Sequence, residues 1–297
     1  MSKIHFARTG GQQWVDSFYH FGHPTGNVRY VHNSGSSTGP GFSPETPYST
    51  IDAAISACTA DNGDVVVVLE DHVETIVGAA GIALDVAGVK VVGLGQGRRR
   101  PRITFGTATA ASCDVSAARC VLENLVFINA IDSQTAMINV SAADCVISRC
   151  EMMTGDATTQ TVLGILTTAS ADRLRVENCH IHGLVNAGTT SQISLVGGDS
   201  IVIQDNIIVG ACAATGNISA ATTAVTNFAI VGNLILNQTA DGNNKTIVLG
   251  ATDTGLIANN RMAVIDSTSP APVTAAGAYV SANYWTGAAG VTASTLM

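Results

Sequence analysis

A strand-like octapeptide recurs seven times between Cys120 and the C-terminus. The copies are CVLENLVF (from Cys120), CVISRCEM (Cys145), LRVENCHI (Leu174), IVIQDNII (Ile201), FAIVGNLI (Phe228), GLIANNRM (Gly255) and AYVSANYW (Ala278), with starts 25, 29, 27, 27, 27 and 23 residues apart. A repeat of this length marks a solenoid, in which no unit buries its apolar face alone and neighbours must stack. Each copy has the β-branched, alternating character of a short strand, and Gly, Asn, Thr and Ser fill the intervals without helical periodicity. One strand motif per coil and no helix between coils predict an all-β chain folded as a right-handed parallel β-helix.

Positions 1, 3, 6 and 8 of the motif read as inward-facing, with a bend between 3 and 6. Position 3 holds Leu122, Ile147, Val176, Ile203, Ile230, Ile257 and Val280, so like residues stack coil on coil at the strand spacing of about 4.8 Å. Position 6 runs Leu125, Cys150, Cys179, Asn206, Asn233, Asn260, Asn283. The last four predict an asparagine ladder inside a turn, each amide bonding the next and satisfying turn backbone groups; their role is structural. GDVVVVLE from Gly63 and GVKVVGLG from Gly88 extend the repeat upstream. Before them, residues 49–58 read as a short amphipathic helix, with Ser49 or Thr50 as N-cap and Asp52 in the first turn, placed to cover the open end of the solenoid. The chain then divides into an extended N-terminal arm, 1–48, and a β-helix, 49–297, with its helix cap at 49–58.

Charged residues make up 12% of the 297 and hydrophobic ones 46%, which suits a chain that hides surface beyond its own core. The net charge of −8 gives no general attraction to nucleic acid, and no stretch reaches the ~18 apolar residues of a membrane helix. Met1 to Gly10 lacks the apolar run of a signal peptide. The seven cysteines include no CxxC pair, and those at matching inward positions read as reduced, stacked apolar side chains of a protein made in the cytoplasm.

Positions 2 and 7 face outward, and they are more apolar than a solvated sheet face should be. Val121, Val146, Val202, Leu256 and Tyr279 at position 2, with Ile207, Leu234 and Tyr284 at position 7, form a stripe that self-association would bury. Side-by-side packing of solenoids round a threefold axis predicts a homotrimer; the alternative is that a loop or the arm folds over the stripe. The arm carries Trp14, Phe18, Tyr19, Phe21 and Tyr30, an aromatic set suited to docking on a neighbour or a larger surface. Four of the seven histidines also lie there (His5, His20, His23, His32), but their spacing defines no metal site, and no metal or cofactor is expected.

Catalysis has one candidate. Glu123 and Glu177 both occupy position 4, two coils and so roughly 10 Å apart, with Arg149, Arg175, Glu151 and His180 nearby. A salt-bridge patch accounts for the same residues, and the chain reads as non-enzymatic. Gly93 to Gly97 resembles a phosphate loop but precedes no helix pattern, so it reads as a coil corner. Arg98, Arg99, Arg100 and Arg102 either meet an acidic partner or form a solvated loop.

The stretch GFSPETPYSTIDAAISACTADNGDVVVVLEDHVETI, from Gly41, and GIALDVAGVKVVGLGQGRRRPRITF, from Gly81, resemble the entry segment of right-handed β-helix virion proteins of tailed bacteriophages, several of which are similar to trimeric head-decoration (cement) proteins. The resemblance implies a trimer on the capsid exterior with the major capsid protein as partner, and it implies no catalytic residues. A tail fibre or tailspike β-helix domain, binding or cleaving a host surface polysaccharide, is the alternative it leaves open.

Overall fold

The computed structural model describes residues 24–156, 158–183, 189–212, 215–220, 223–239, 245–265 and 273–286. The chain is a right-handed parallel β-helix. Three parallel sheets of ten, nine and eight strands run along its axis; the eight coils between Val65 and Ala275 each contribute one strand to each, Val28–Ser36 adds a strand to the first alone, and the last coil adds one to the first and one to the second. The octapeptide supplies two of the three. Its first half pairs into sheet 1 and its second half into sheet 2, as in Val121–Glu123 and Val126–Asn129. The segments between motifs, such as Gln134–Val140 and Thr161–Thr167, form sheet 3.

The register is unbroken. Leu122, Ile147, Val176, Ile203, Ile230, Ile257 and Val280 are Cα partners in succession along sheet 1. Phe127, Met152, Ile181, Ile208, Ile235 and Met262 do the same along sheet 2, and all six are buried. The core is therefore a set of columns rather than a centre.

The corner between sheets 1 and 2 explains the motif's middle. Position 5 is left-handed in every repeat: Asn124 (φ 57°), Arg149 (52°), Asn178 (55°), Asp205 (55°), Gly232 (72°), Asn259 (56°) and Ala282 (51°). A single αL residue reverses the inward–outward alternation, so positions 3 and 6 both point inward. That leaves the backbone N–H of position 6 facing the interior, and the asparagines answer it. The Asn206 N–H donates to Asn233 Oδ1 (2.9 Å), Asn233 N–H to Asn260 Oδ1 (2.9 Å), and Asn260 N–H to Asn283 Oδ1 (2.9 Å). Each Nδ2 then donates to the position 3 carbonyl one coil back: Val176, Ile203, Ile230 and Ile257. The ladder reaches one step further, because Cys179 N–H donates to Asn206 Oδ1 (2.8 Å). All seven cysteines are free thiols.

The N-terminal end is closed by a helix at Ile51–Ser56 that buries Ile51, Ala54 and Ile55. Thr50 is its N-cap, accepting from the Ala53 N–H at 3.3 Å, and Asp52 lies in its first turn. Beside it, Val28–Ser36 is a nine-residue strand pairing in parallel with Val65–Val68, so sheet 1 begins inside the segment read as an extended arm. Tyr30 accordingly stands on the first strand of the solenoid. It packs with Val28 and Leu69 against a second apolar cluster, Val65, Val67, Val92 and Leu94, on the outer side of sheet 1. Trp14, Phe18, Tyr19 and Phe21 lie outside the described residues. No described helix is long and apolar enough to cross a membrane.

Candidate functional site

Outward positions are where a solenoid presents chemistry, and two adjoining regions stand out. The first is a charged corner on the middle coils. Strand His180–His182 alternates about the buried Ile181, so both imidazoles point outward, and their rings stack with centroids 4.4 Å apart. The strand one coil earlier places Glu151 directly beside His180 in register. Glu151 Oε1 lies 3.1 Å from His182 Nε2, and Glu151 Oε2 accepts from Arg100 at 3.1 Å. Arg100 reaches this point from the loop after the Gly97–Arg99 turn, held by the carbonyls of Leu125 (2.9 Å) and Arg149 (2.8 Å). Burial, and then the neighbouring His182, hold the His180 imidazole below its ordinary pKa; Glu151 opposes this and Arg100 adds to it.

Glu123 and Glu177, the carboxylate pair singled out in the sequence, are each engaged separately. Glu123 is buried and ion-paired with Arg149. Glu177 accepts from Arg175 at 2.8 Å and from Gln204 at 3.2 Å. The arrangement is two salt bridges, two coils apart, rather than a pair of acids facing one bond. The basic cluster is similarly divided. Arg99 pairs with Glu70 (2.7 Å) and Asp71 (2.9 Å), Arg100 turns into the corner, and Arg98 and Arg102 are exposed. Gly95 and Gly97 adopt positive φ at a coil corner.

His182 and Arg100 complete the corner and were not singled out in the sequence as its members. His182 occupies the residue after motif position 8, an outward position that an eight-residue frame cuts off. The signal that finds it is the H-x-H pattern read against the glutamate one coil upstream.

The second region is the apolar stripe on the C-terminal coils. Ile207, Leu234 and Tyr284 on sheet 2, and Leu256 and Tyr279 on sheet 1, are 44, 46, 50, 36 and 70% exposed. Val121, Val146 and Val202 continue the sheet 1 column as half-buried residues.

No protein-family model and no curated protein matches the chain. Two solved structures share its general course. A rhamnogalacturonan lyase is 12% identical, with a TM-score of 0.46 over 87% of this chain and 87% of its own. A GH136 lacto-N-biosidase from Eubacterium ramulus is 10% identical, with a TM-score of 0.45 over 93% of this chain and 69% of its own. These similarities assign neither a substrate nor a reaction here. They do correct one expectation: both neighbours are enzymes by name, so the reading of this chain as non-enzymatic is withdrawn.

Proposed function

We propose that this chain is a tailed-bacteriophage virion protein, a side-by-side homotrimer of β-helices that decorates the capsid exterior. Its contact with the major capsid protein would be made by the aromatic residues preceding the solenoid. The observation that carries the reading is the exposed apolar stripe. Five large apolar side chains on the outer faces of two sheets, Ile207 beside Leu234 and Leu256 beside Tyr279 in register, are exposed, and water contact with them is unfavourable. Burial against further copies of the chain removes that contact, and a trimer then engages several capsid subunits at once with raised avidity. The resemblance of the Gly41 to Phe105 segment to phage β-helix entry segments supports the virion setting.

A second reading is a tail β-helix directed at a host surface polysaccharide. The charged corner favours it, since stacked strands present side chains at a spacing of about 4.8 Å along a polymer. Copy number separates the two. Quantitative mass spectrometry of purified virions should give a ratio to the major capsid protein of order one for decoration. A few copies to a few tens would overturn decoration and place the chain on the tail or vertices. Mass determination of the isolated protein in solution should give three copies, and a monomer would overturn the trimer.

A further inference from the structure

We propose that Glu151, His180 and His182 form a binding site for a divalent transition-metal ion such as zinc, with one coordination position open to solvent. The proposal is independent of the virion reading and rests on side-chain chemistry at the corner of the middle coils.

The fold itself brings the three donors together. His180 and His182 share one strand face because side chains two residues apart point the same way. Glu151 sits beside them because parallel strands of adjacent coils pair in register. One ligand atom from each residue lies within 4.8 Å of the other two. The Glu151 Oε1 to His182 Nε2 separation is already 3.1 Å. Bonds of about 2.0–2.2 Å to a shared tetrahedral ion place donor atoms roughly 3.3–3.5 Å apart, so the pair needs almost no movement and the His180 ring must swing inward by a short distance.

Two further features fit. Arg100 accepts no role as a ligand, but its bond to Glu151 Oε2 fixes the carboxylate and leaves Oε1 as a single donor. Arg100 is itself tied to the Leu125 and Arg149 carbonyls, the kind of outer-shell support that orients metal-binding carboxylates. The imidazoles rest on a rigid sheet, since Ile181 between them is fully buried in the core. Donor chemistry selects the ion. Two imidazoles and one carboxylate suit zinc, cobalt or nickel, whereas calcium and magnesium want six or more oxygens. Three protein donors on an exposed face leave a fourth position for water or for a donor from another molecule.

The test uses the full chain stripped of metal by chelation and titrated calorimetrically with zinc, nickel and calcium chlorides. Cobalt absorption spectra report the coordination geometry. Expected are one zinc ion per chain, a tetrahedral cobalt spectrum and no calcium binding. A His180→Ala/His182→Ala variant should weaken zinc binding by more than the 10–100-fold typical of losing an outer-shell partner. Because His20, His23 and His32 could bind metal separately, a His20→Ala/His23→Ala variant serves as control and should retain the one-to-one site. Glu151→Gln, nearly the same shape, should also lose the tetrahedral cobalt signature while keeping the β-sheet circular dichroism of the parent. Zinc binding unchanged in the His180/His182 variant, or no zinc binding to the parent, would overturn the proposal.

Discussion

Replacing Asn233 by alanine tests the account of the corner. The side chain is fully enclosed and takes part in five hydrogen bonds. Its Oδ1 accepts from the Asn206 N–H (2.9 Å) and Asn206 Nδ2 (3.0 Å). Its Nδ2 donates to Ile203 O (2.9 Å), Val231 O (3.2 Å) and Asn260 Oδ1 (2.9 Å). Alanine removes the partner of the Asn206 backbone N–H, one partner of the Asn206 amide and a donor to Ile203 O. A buried group left unpaired costs about 1–3 kcal/mol; the Asn206 N–H loses its partner outright while Asn206 Nδ2 keeps Val176 O, so the expected loss is about 2–4 kcal/mol once the weakened bonds to Ile203 O and the Asn206 amide are added. Asn233→Asp makes the argument sharper. It keeps the acceptor for Asn206 but sets a carboxylate against three oxygens in a buried turn. Burial and those oxygens raise the folded-state pKa of the new aspartate above its unfolded value. Its penalty is therefore full at neutral pH and shrinks as pH falls through that raised value, while the alanine penalty stays level. Urea denaturation followed by circular dichroism, at one protein concentration and with the parent measured at each pH, reads both. An alanine loss below about 1 kcal/mol, or identical pH profiles for the two variants, would refute the ladder as the reason for asparagine here.

Three further outcomes are expected. Leu234→Glu puts a charge in the middle of the exposed stripe and should dissociate the assembly to monomers without altering the circular dichroism; a variant that stays assembled excludes this face as the interface. Asp64 is enclosed beneath the cap. Burial pushes its carboxyl up, but the Thr59 and Asn27 amides and the Asn62 side chain outweigh that and hold it below the ordinary value of 3.8. Its stabilisation is therefore complete above pH 3.8 and lost as pH falls through the lower folded-state value, and Asp64→Asn should remove that part of the acid sensitivity, read from stability against pH. Burial raises the Cys58 and Cys212 thiols to about 12 and Cys120 to about 11, and Cys113, Cys145, Cys150 and Cys179 are buried out of reach, so a thiol-exchange reagent at about pH 8 should leave the native chain almost unlabelled and modify seven thiols in denaturant.

The columns of the core were legible because the solenoid repeats the same environment every coil. Ile147, Val176 and Ile203 face inward for one reason, and a shared period exposes it. The first strand was not legible, because Val28–Ser36 occurs once and packs on both sides: Val31 into the core, and Val28 and Tyr30 against the outer cluster. Alternation between apolar and polar residues, the usual signature of a half-buried strand, is then missing. The charged corner was half legible. Glu151 and His180 occupy a repeating outward position, while Arg100 arrives from a loop and reaches Glu151 across 51 residues of sequence, a side-chain reach that no periodicity encodes.

The outer column of sheet 2 also constrains how copies can meet. In order along the axis it reads Val73, Arg102, Val126, Glu151, His180, Ile207, Leu234, Arg261, Tyr284. Glu151 and His180 sit at its middle, while Ile207, Leu234 and Tyr284, with Arg261 among them, occupy its C-terminal half. Copies related by an axis parallel to the solenoid set each coil beside the same coil of its neighbour, so Ile207 and Leu234 meet apolar partners. An antiparallel two-fold centred on the column, at His180, sets Ile207 toward Glu151, leaving an apolar group against a carboxylate that already has its own pairing with Arg100 and His182. Desolvating that carboxylate costs more than the apolar contact returns unless its partners follow it into the interface. In the proposed trimer the sequence of side chains along this column therefore favours the parallel, cyclic arrangement over the antiparallel one.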